Sequence, residues 1–363
     1  MDLDFGVERV IEPTWAIPVA AWRLDNSRDL RGKEMRVRIR NIKLEEASFR
    51  QLCSECDYDA LKIKEKIFDI IKKRGKIHNP ATGSGGIFYG EVDEIGKQYA
   101  RRDEFKPGDP VICITSLSAI PLHLDSIADI DFNYGQITAE GYAILSGTNP
   151  VVHYSPDLAL PYTMAAMEEA SSLHQVFQLA SGTEGGRFLI LSSDILSATL
   201  YGALLRKAAD GARIVAALDQ KSVENLPWQE IKRVLGAYID EIYILDILAP
   251  LKSFEEILEK EERLFDFCIN CADLMGAEAV GVLLTEQRGT MLFTSFINNH
   301  GLALLFAESL GKELNTYSLD AYTEGFRDFT IAFLREIKPN LEQIHKIYRK
   351  HRLARRRPAD SKT

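Results

Sequence analysis

The chain has 363 residues, enough for two domains with cores of their own, and its 46% hydrophobic and 27% charged residues suit an ordinary globular protein. A net charge of −9 excludes nucleic acid as the main partner, since phosphate backbones are held by clustered Lys and Arg. No apolar run is long enough to span a membrane, the start MDLDFGVERV lacks the pattern of a signal peptide, and five cysteines make no disulfide framework, so a cytoplasmic protein is expected.

Residues 1 to about 34 read as an arm in which Trp15, Pro18, Trp22 and Leu24 can pack. Residues 35–44, MRVRIRNIKL, alternate apolar and basic side chains, as a half-buried strand does. Residues 45–51 read as helical. Residues 59–73 form an amphipathic helix with Leu61, Ile63, Ile67, Ile70 and Ile71 as its buried stripe. The glycine-rich span 75–96 follows, where tight turns and close chain approach are expected, and residues 105–113 are a turn feeding a buried strand. Residues 114–161 hold short strands and turns without a clear period, and residues 161–179 read as one helix. Six strands then alternate with helices, at 188–191, 213–218, 241–245, 265–270, 290–294 and 313–318, which implies a doubly wound parallel sheet. Helices at 323–334 and 341–349 close the chain, and its basic end, RKHRLARRRPADSKT, reads as a solvated tail.

The stretch 187–219 is strand, turn, helix, strand, acid: the opening βαβ unit of a dinucleotide-binding domain. Its turn carries no glycine. A diphosphate needs free N–H groups at a helix start and a close backbone, and here stand Ser192, Ser193, Asp194 and Ile195. The two serines are small and could donate. Asp194, as an N-cap, would satisfy the helix's own amides and repel phosphate. At an effective dielectric near 20 that repulsion is about 4 kcal/mol for charges ~4 Å apart. Asp219 ends the second strand, where an acid accepts the adenosine ribose hydroxyls and favours NAD over NADP; a solvated strand-end acid is the alternative. Thr294, ending a later strand, joins this cofactor set. Cys53/Cys56 and Cys268/Cys271 lie too far apart in sequence for a zinc ribbon and read as plain thiols.

Taken together, the glycine-rich span and the FKPGDPV turn at 105–111 resemble the medium-chain dehydrogenase superfamily. More narrowly, HNPATGSGG (78–86), SLSAIPL (116–122), FCINCADLMGAE (267–278), RGTMLFTSF (288–296), ALLFAESLG (303–311) and DAYTEGF (320–326) resemble the L-erythro-3,5-diaminohexanoate dehydrogenase family. The resemblance implies an α/β chain: a GroES-like, mainly-β catalytic domain (1–162 with 320–363) and a Rossmann-type nucleotide-binding domain (163–319) with a doubly wound parallel sheet. It implies a zinc-free branch and no metal, because Gly83-Ser84-Gly85-Gly86 stands where zinc enzymes carry Gly-His-Glu.

In that superfamily the cleft lies between the domains, which makes His78 a candidate proton carrier, with a loop-shaping histidine as the alternative. Asn79, Thr82 and Ser84 are candidate substrate contacts. The family's substrate carries two ammonium groups, so Glu168 is the candidate carboxylate for one of them, and Glu169 its solvent-facing neighbour. Tyr322 and Glu324 are further catalytic candidates.

Two functions are expected from this. One is NAD-linked oxidative deamination of a small-molecule diamino acid in lysine fermentation. The other is a non-catalytic paralogue that has lost the dinucleotide and serves as a regulatory or structural partner. Family resemblance adds a homo-oligomer, or a hetero-oligomer with a catalytic paralogue.

Overall fold

The N-terminal arm carries two short strands, β1 (Val10–Glu12) and β2 (Arg23–Leu24). Arg9 pins them: its guanidinium donates to Glu34 Oε1 and Oε2 at 2.7 and 2.5 Å. Leu24 packs as expected, whereas Trp15 stands 100% exposed. The structure is a computed structural model describing residues 5–79, 83–318 and 322–351, the side chain of Ala47 apart. It divides into two units, Met1–Glu168 and Glu169–Thr363.

In the first unit β3 (Met35–Lys43), α1 (Glu46–Glu55), α2 (Ala60–Arg74) and β4 (Ile87–Ile95) are followed by β5 (Pro110–Cys113), β6 (Leu122–Asp131), β7 (Gln136–Leu145), β8 (Val151–His153) and α3 (Leu160–Met167). Strands β3 to β8 make an antiparallel sheet ordered β6-β7-β3-β4-β5-β8. The alternation in β3 buries Met35, Val37 and Ile39; a bulge between Ile39 and Asn41 then shifts the parity, so that Ile42 joins the core. Asp59 caps α2 by accepting from the amides of Leu61 and Lys62, and Gly75 at φ 67° ends it. Ile63, Ile67 and Ile71 form its buried face, but Leu61 of the expected stripe is 70% exposed. It lies two residues, roughly 200°, around the helix from Ile63. The stretch 114–161, which showed no period, holds the long strands β6 and β7. Register shifts between Leu124 and Ser126 and between Ile127 and Asp129 break their alternation.

The single helix expected over 161–179 is two, α3 and α4 (Ala170–Ala180), interrupted at Glu168 and Glu169, where the unit boundary falls. The second unit continues with β9 (Arg187–Ser192), α5 (Ile195–Ala208), β10 (Arg213–Asp219), α6 (Gln220–Val223), α7 (Trp228–Leu235), β11 (Glu241–Leu245) and α8 (Pro250–Leu258). Then come β12 (Phe265–Cys271), α9 (Glu278–Leu284), β13 (Thr285–Phe293), α10 (His300–Ser309) and β14 (Asn315–Ser318). All six expected strands are present, and every pairing is parallel in the order β11-β10-β9-β12-β13-β14. That is the doubly wound order, with its switch point between β9 and β12.

Helices α11 (Phe326–Glu336) and α12 (Lys338–His351) pack on α4, α5 and α7. The sequence expectation placed 320–363 with the first domain; instead Leu341, Ile344, Ile347 and Tyr348 are buried within the second unit. Polar contacts fix the arrangement: the Tyr238 hydroxyl donates to Asn340 Oδ1 at 2.8 Å, and Lys207 pairs with Glu336 at 2.8 Å.

Candidate functional site

Two polar centres emerge, one in each unit. The first is built where β3 runs into α1. Gly86, at φ 89°, crosses this junction so closely that a Cβ would lie 2.0 Å from the Lys43 carbonyl oxygen. The close approach delivers Ser84 to Glu45. Glu45 Oε2 accepts from the Ser48 amide, the Ser48 hydroxyl and the Ser84 hydroxyl, each at 2.9 Å. The two serine oxygens lie 2.8 Å apart.

Beside it Lys43 is 4% exposed, and its Nζ sits 2.5 Å from Glu168 Oε2 at the end of α3. Nζ also donates to the Leu44 carbonyl at 3.3 Å. Burial pushes the Lys43 pKa down, but Glu168, Glu46 and Glu45 push it up more, and the net direction is upward. Lys43 is therefore an ammonium at any ordinary pH. Glu168, by contrast, keeps 24% of its side chain exposed. A cavity of about 250 Å³ opens alongside, lined by Leu44, Ser48, Gln51, Asn79 and Ser84 among others. Asn79 Nδ2 donates to Gln51 Oε1 at 3.1 Å, and the Asn79 amide donates to the Ser84 carbonyl at 3.0 Å, closing the loop.

Glu168, Asn79 and Ser84 thus all lie in this unit, Asn79 and Ser84 lining the cavity and Glu168 paired with Lys43, and Thr82 lies outside the described residues. His78 neighbours Asn79, but burial first, and Arg74 and Lys76 next, hold its imidazole down at about 4. It is a neutral ring near pH 7. Glu169 differs from expectation. It belongs to the second unit and accepts from the Tyr201 hydroxyl at 2.7 Å and the Ser197 hydroxyl at 3.2 Å, so it faces protein. Tyr322 and Glu324 are exposed in the second unit, Tyr322 against the Phe326 ring at 5.1 Å. Their neighbour Thr323 bonds His174 Nδ1 at 2.6 Å.

The second centre is the carboxyl edge of the parallel sheet at the switch point. Asp194 is the N-cap of α5: its Oδ1 accepts from the amides of Leu196 and Ser197, both at 2.8 Å. The Tyr348 hydroxyl of α12 reaches the same oxygen at 3.4 Å. Ser192 is engaged with Asp194 itself, donating to its carbonyl at 2.8 Å, and Ser193 Oγ accepts from the Asp273 amide at 3.0 Å. Asp219 is 3% exposed, and Oδ2 accepts from the Ser222 amide at 2.9 Å and its hydroxyl at 2.7 Å, capping α6. The Thr294 amide donates to the Asn270 carbonyl at 3.1 Å.

A diphosphate at this helix start would need the amides that Asp194 holds, and would meet its charge and those of Glu169 and Asp273. With burial, these three carboxylates push the buried Cys271 thiol well up. In this arrangement the Asp194 carboxylate takes the helix-start amides that a diphosphate in the usual seat would use. Among the described residues no three His, Cys, Asp or Glu side chains gather to hold a metal, and no helix is long and apolar enough to cross a membrane.

An antiparallel β unit followed by a 3-2-1-4-5-6 parallel sheet is the two-domain fold of the medium-chain dehydrogenases, GroES-like and then Rossmann-type. Solved structures share it at low identity. The quinone oxidoreductase from Coxiella burnetii has a TM-score of 0.52 at 11% identity, over 91% of this chain and 89% of that one. Galactitol-1-phosphate dehydrogenase from Escherichia coli has 0.50 at 13%, over 87% and 84%.

Within that fold the resemblance is narrower: residues 8–155 match the family model of the L-erythro-3,5-diaminohexanoate dehydrogenase N-terminal domain. Two L-erythro-3,5-diaminohexanoate dehydrogenases, from Acetoanaerobium sticklandii and Fusobacterium nucleatum, are each 28% identical over 347 residues, covering 95% of this chain and 98% of the relative. Sequence reasoning passed over Lys43, Glu45, Ser48 and Tyr348. A lysine inside an apolar strand end, with no turn after it, was the available signal for the first; nothing local marks Tyr348.

Proposed function

We propose that the protein is a diamino-acid oxidoreductase that removes hydride from the carbon bearing one amine, leaving an iminium that water converts to a ketone and ammonia. For 3,5-diaminohexanoate the products are 5-amino-3-oxohexanoate and ammonia. The observation that carries this reading is the match to 3,5-diaminohexanoate dehydrogenases over 95% of the chain. The first centre supports it chemically. Glu168, partly exposed and held by Lys43, can receive the ammonium that does not react, while Asn79 and Ser84 border the neighbouring cavity. The reacting amine must be neutral to expel hydride from its carbon, so its proton leaves first. His78, a neutral ring near pH 7, could take that proton only as a weak base.

A nicotinamide dinucleotide is the proposed hydride acceptor, with NAD preferred because the Asp219 carboxylate would oppose a 2′-phosphate. Asp194 holds the helix-start amides that the dinucleotide's diphosphate would need. That same cap favours a second reading, a paralogue of the diaminohexanoate enzymes that has lost dinucleotide binding.

Calorimetric titration with NAD and NADH, followed by assay of NADH formation on the diamino acid, separates the two. Micromolar NADH binding with turnover ends the second reading. Absence of binding at millimolar dinucleotide ends the first.

A further inference from the structure

We propose that Lys43 is a positioning residue, whose buried ammonium orients the Glu168 carboxylate that receives the non-reacting ammonium of a diamino substrate. The inference rests on the oxidoreductase reading above and adds a residue and a selectivity to it.

An ammonium this far from water is costly unless paired, and well-packed apolar side chains hold such a place as stably. Lys43 is nevertheless one of the most buried charged residues described, in contact with Glu168 Oε2 at 2.5 Å. The two partners come from the ends of a paired strand and a helix, which fix the carboxylate from behind. Exposure is lopsided: 6% for the Lys43 side chain against 24% for Glu168. The pair therefore has a dry cationic end and a wet anionic end, and a ligand approaching it meets the carboxylate.

The charges around the pair agree. Lys43 faces Glu168 from α3, and Glu45 and Glu46 from the start of α1; Glu46 is shared with Arg50 at 3.0 Å, and Glu45 accepts from the Ser48 and Ser84 hydroxyls. A carboxylate at the wet end of the pair attracts a cation and repels another carboxylate. A substrate with two amines has one cation left over when the reacting amine has lost its proton. A substrate with one amine has none. The geometry thus predicts discrimination between diamino and monoamino acids of the same length.

The test is calorimetric binding of 3,5-diaminohexanoate and of 3-aminohexanoate to the full chain, for the native protein, Lys43→Arg, Lys43→Met and Glu168→Gln. The native protein is expected to favour the diamino acid. Lys43→Met should lower that preference about tenfold, with little change in affinity for the monoamine, and Lys43→Arg should restore most of it.

A folded Lys43→Met that keeps the full preference overturns the proposal, because loss of stability alone is what a purely structural lysine would show. If Lys43→Met does not fold, Glu168→Gln decides, and an unchanged preference in that variant overturns the proposal equally. A native protein that binds neither amino acid fells the oxidoreductase reading and this one together. Native preference without any dependence on Lys43 or Glu168 fells this one alone.

Discussion

The two centres put carboxylates to opposite uses. In the first unit Glu168 meets a buried ammonium and keeps part of its side chain in water. In the second, Asp194 turns onto its own helix, accepting two amides at 2.8 Å and a tyrosine hydroxyl at 3.4 Å. One acid is oriented and still approachable. The other has its Oδ1 taken up by its own chain. Sequence shows which acids stand near a site, but whether an acid is available depends on its partners, and those are mostly distant in sequence.

The sharpest way to break this contrast is to remove the lysine. Lys43→Met should destabilise the protein by about 3 kcal/mol, toward the low end for a broken buried pair because Glu168 is partly wet. Urea unfolding measures it, and the double change Lys43→Met with Glu168→Met should recover most of the loss. The pH dependence follows from the raised pKa of Lys43. A folded value above the unfolded one means the stabilisation is fully present below about 10.5 and is lost as pH rises through the folded value. Native protein should therefore lose stability at strongly alkaline pH, and Lys43→Met should lose less.

Next comes the acid of the second centre. Asp194→Asn keeps a capping side chain and removes the charge, so stability should change by less than about 1 kcal/mol. NADH affinity should rise, by as much as roughly a thousandfold if the full ~4 kcal/mol repulsion is relieved. Unchanged affinity on calorimetry would count against the electrostatic account. The smallest effect is expected from Tyr348→Phe. Its hydrogen bond is long at 3.4 Å, so thermal unfolding should show a loss of about 0.5 kcal/mol, with NADH affinity nearly unmoved.

Much of the fold was legible because its signals are local. The six parallel strands are short apolar runs buried on both faces, and Asp194 announced itself as a cap because capping reaches only two or three residues ahead. Strands β6 and β7 were not legible, since bulges erase the alternation that marks a strand. The break between α3 and α4 falls inside a sequence with no Gly or Pro to mark it. At the sites, Glu168 was named but its lysine was not: Lys43 looked like one more basic residue of an alternating strand until the bulge changed what β3 buries. Tyr348, 154 residues away from Asp194, belongs to a helix the sequence had assigned to the other domain.

The crossing of Gly86 over the end of β3 has a consequence for redesign. A Cβ at Gly86 would come within 2.0 Å of the Lys43 carbonyl, and one at Gly85 within 2.5 Å of the Ser118 nitrogen. Installing the Gly-His-Glu of a zinc enzyme across this loop would ask for side chains where main chain already lies. Ser84 is the position with a side chain to exchange, and its hydroxyl is tied to Glu45. Converting this unit into a metalloenzyme would therefore require rebuilding the backbone path from residue 83 to residue 86, and point substitution would be insufficient.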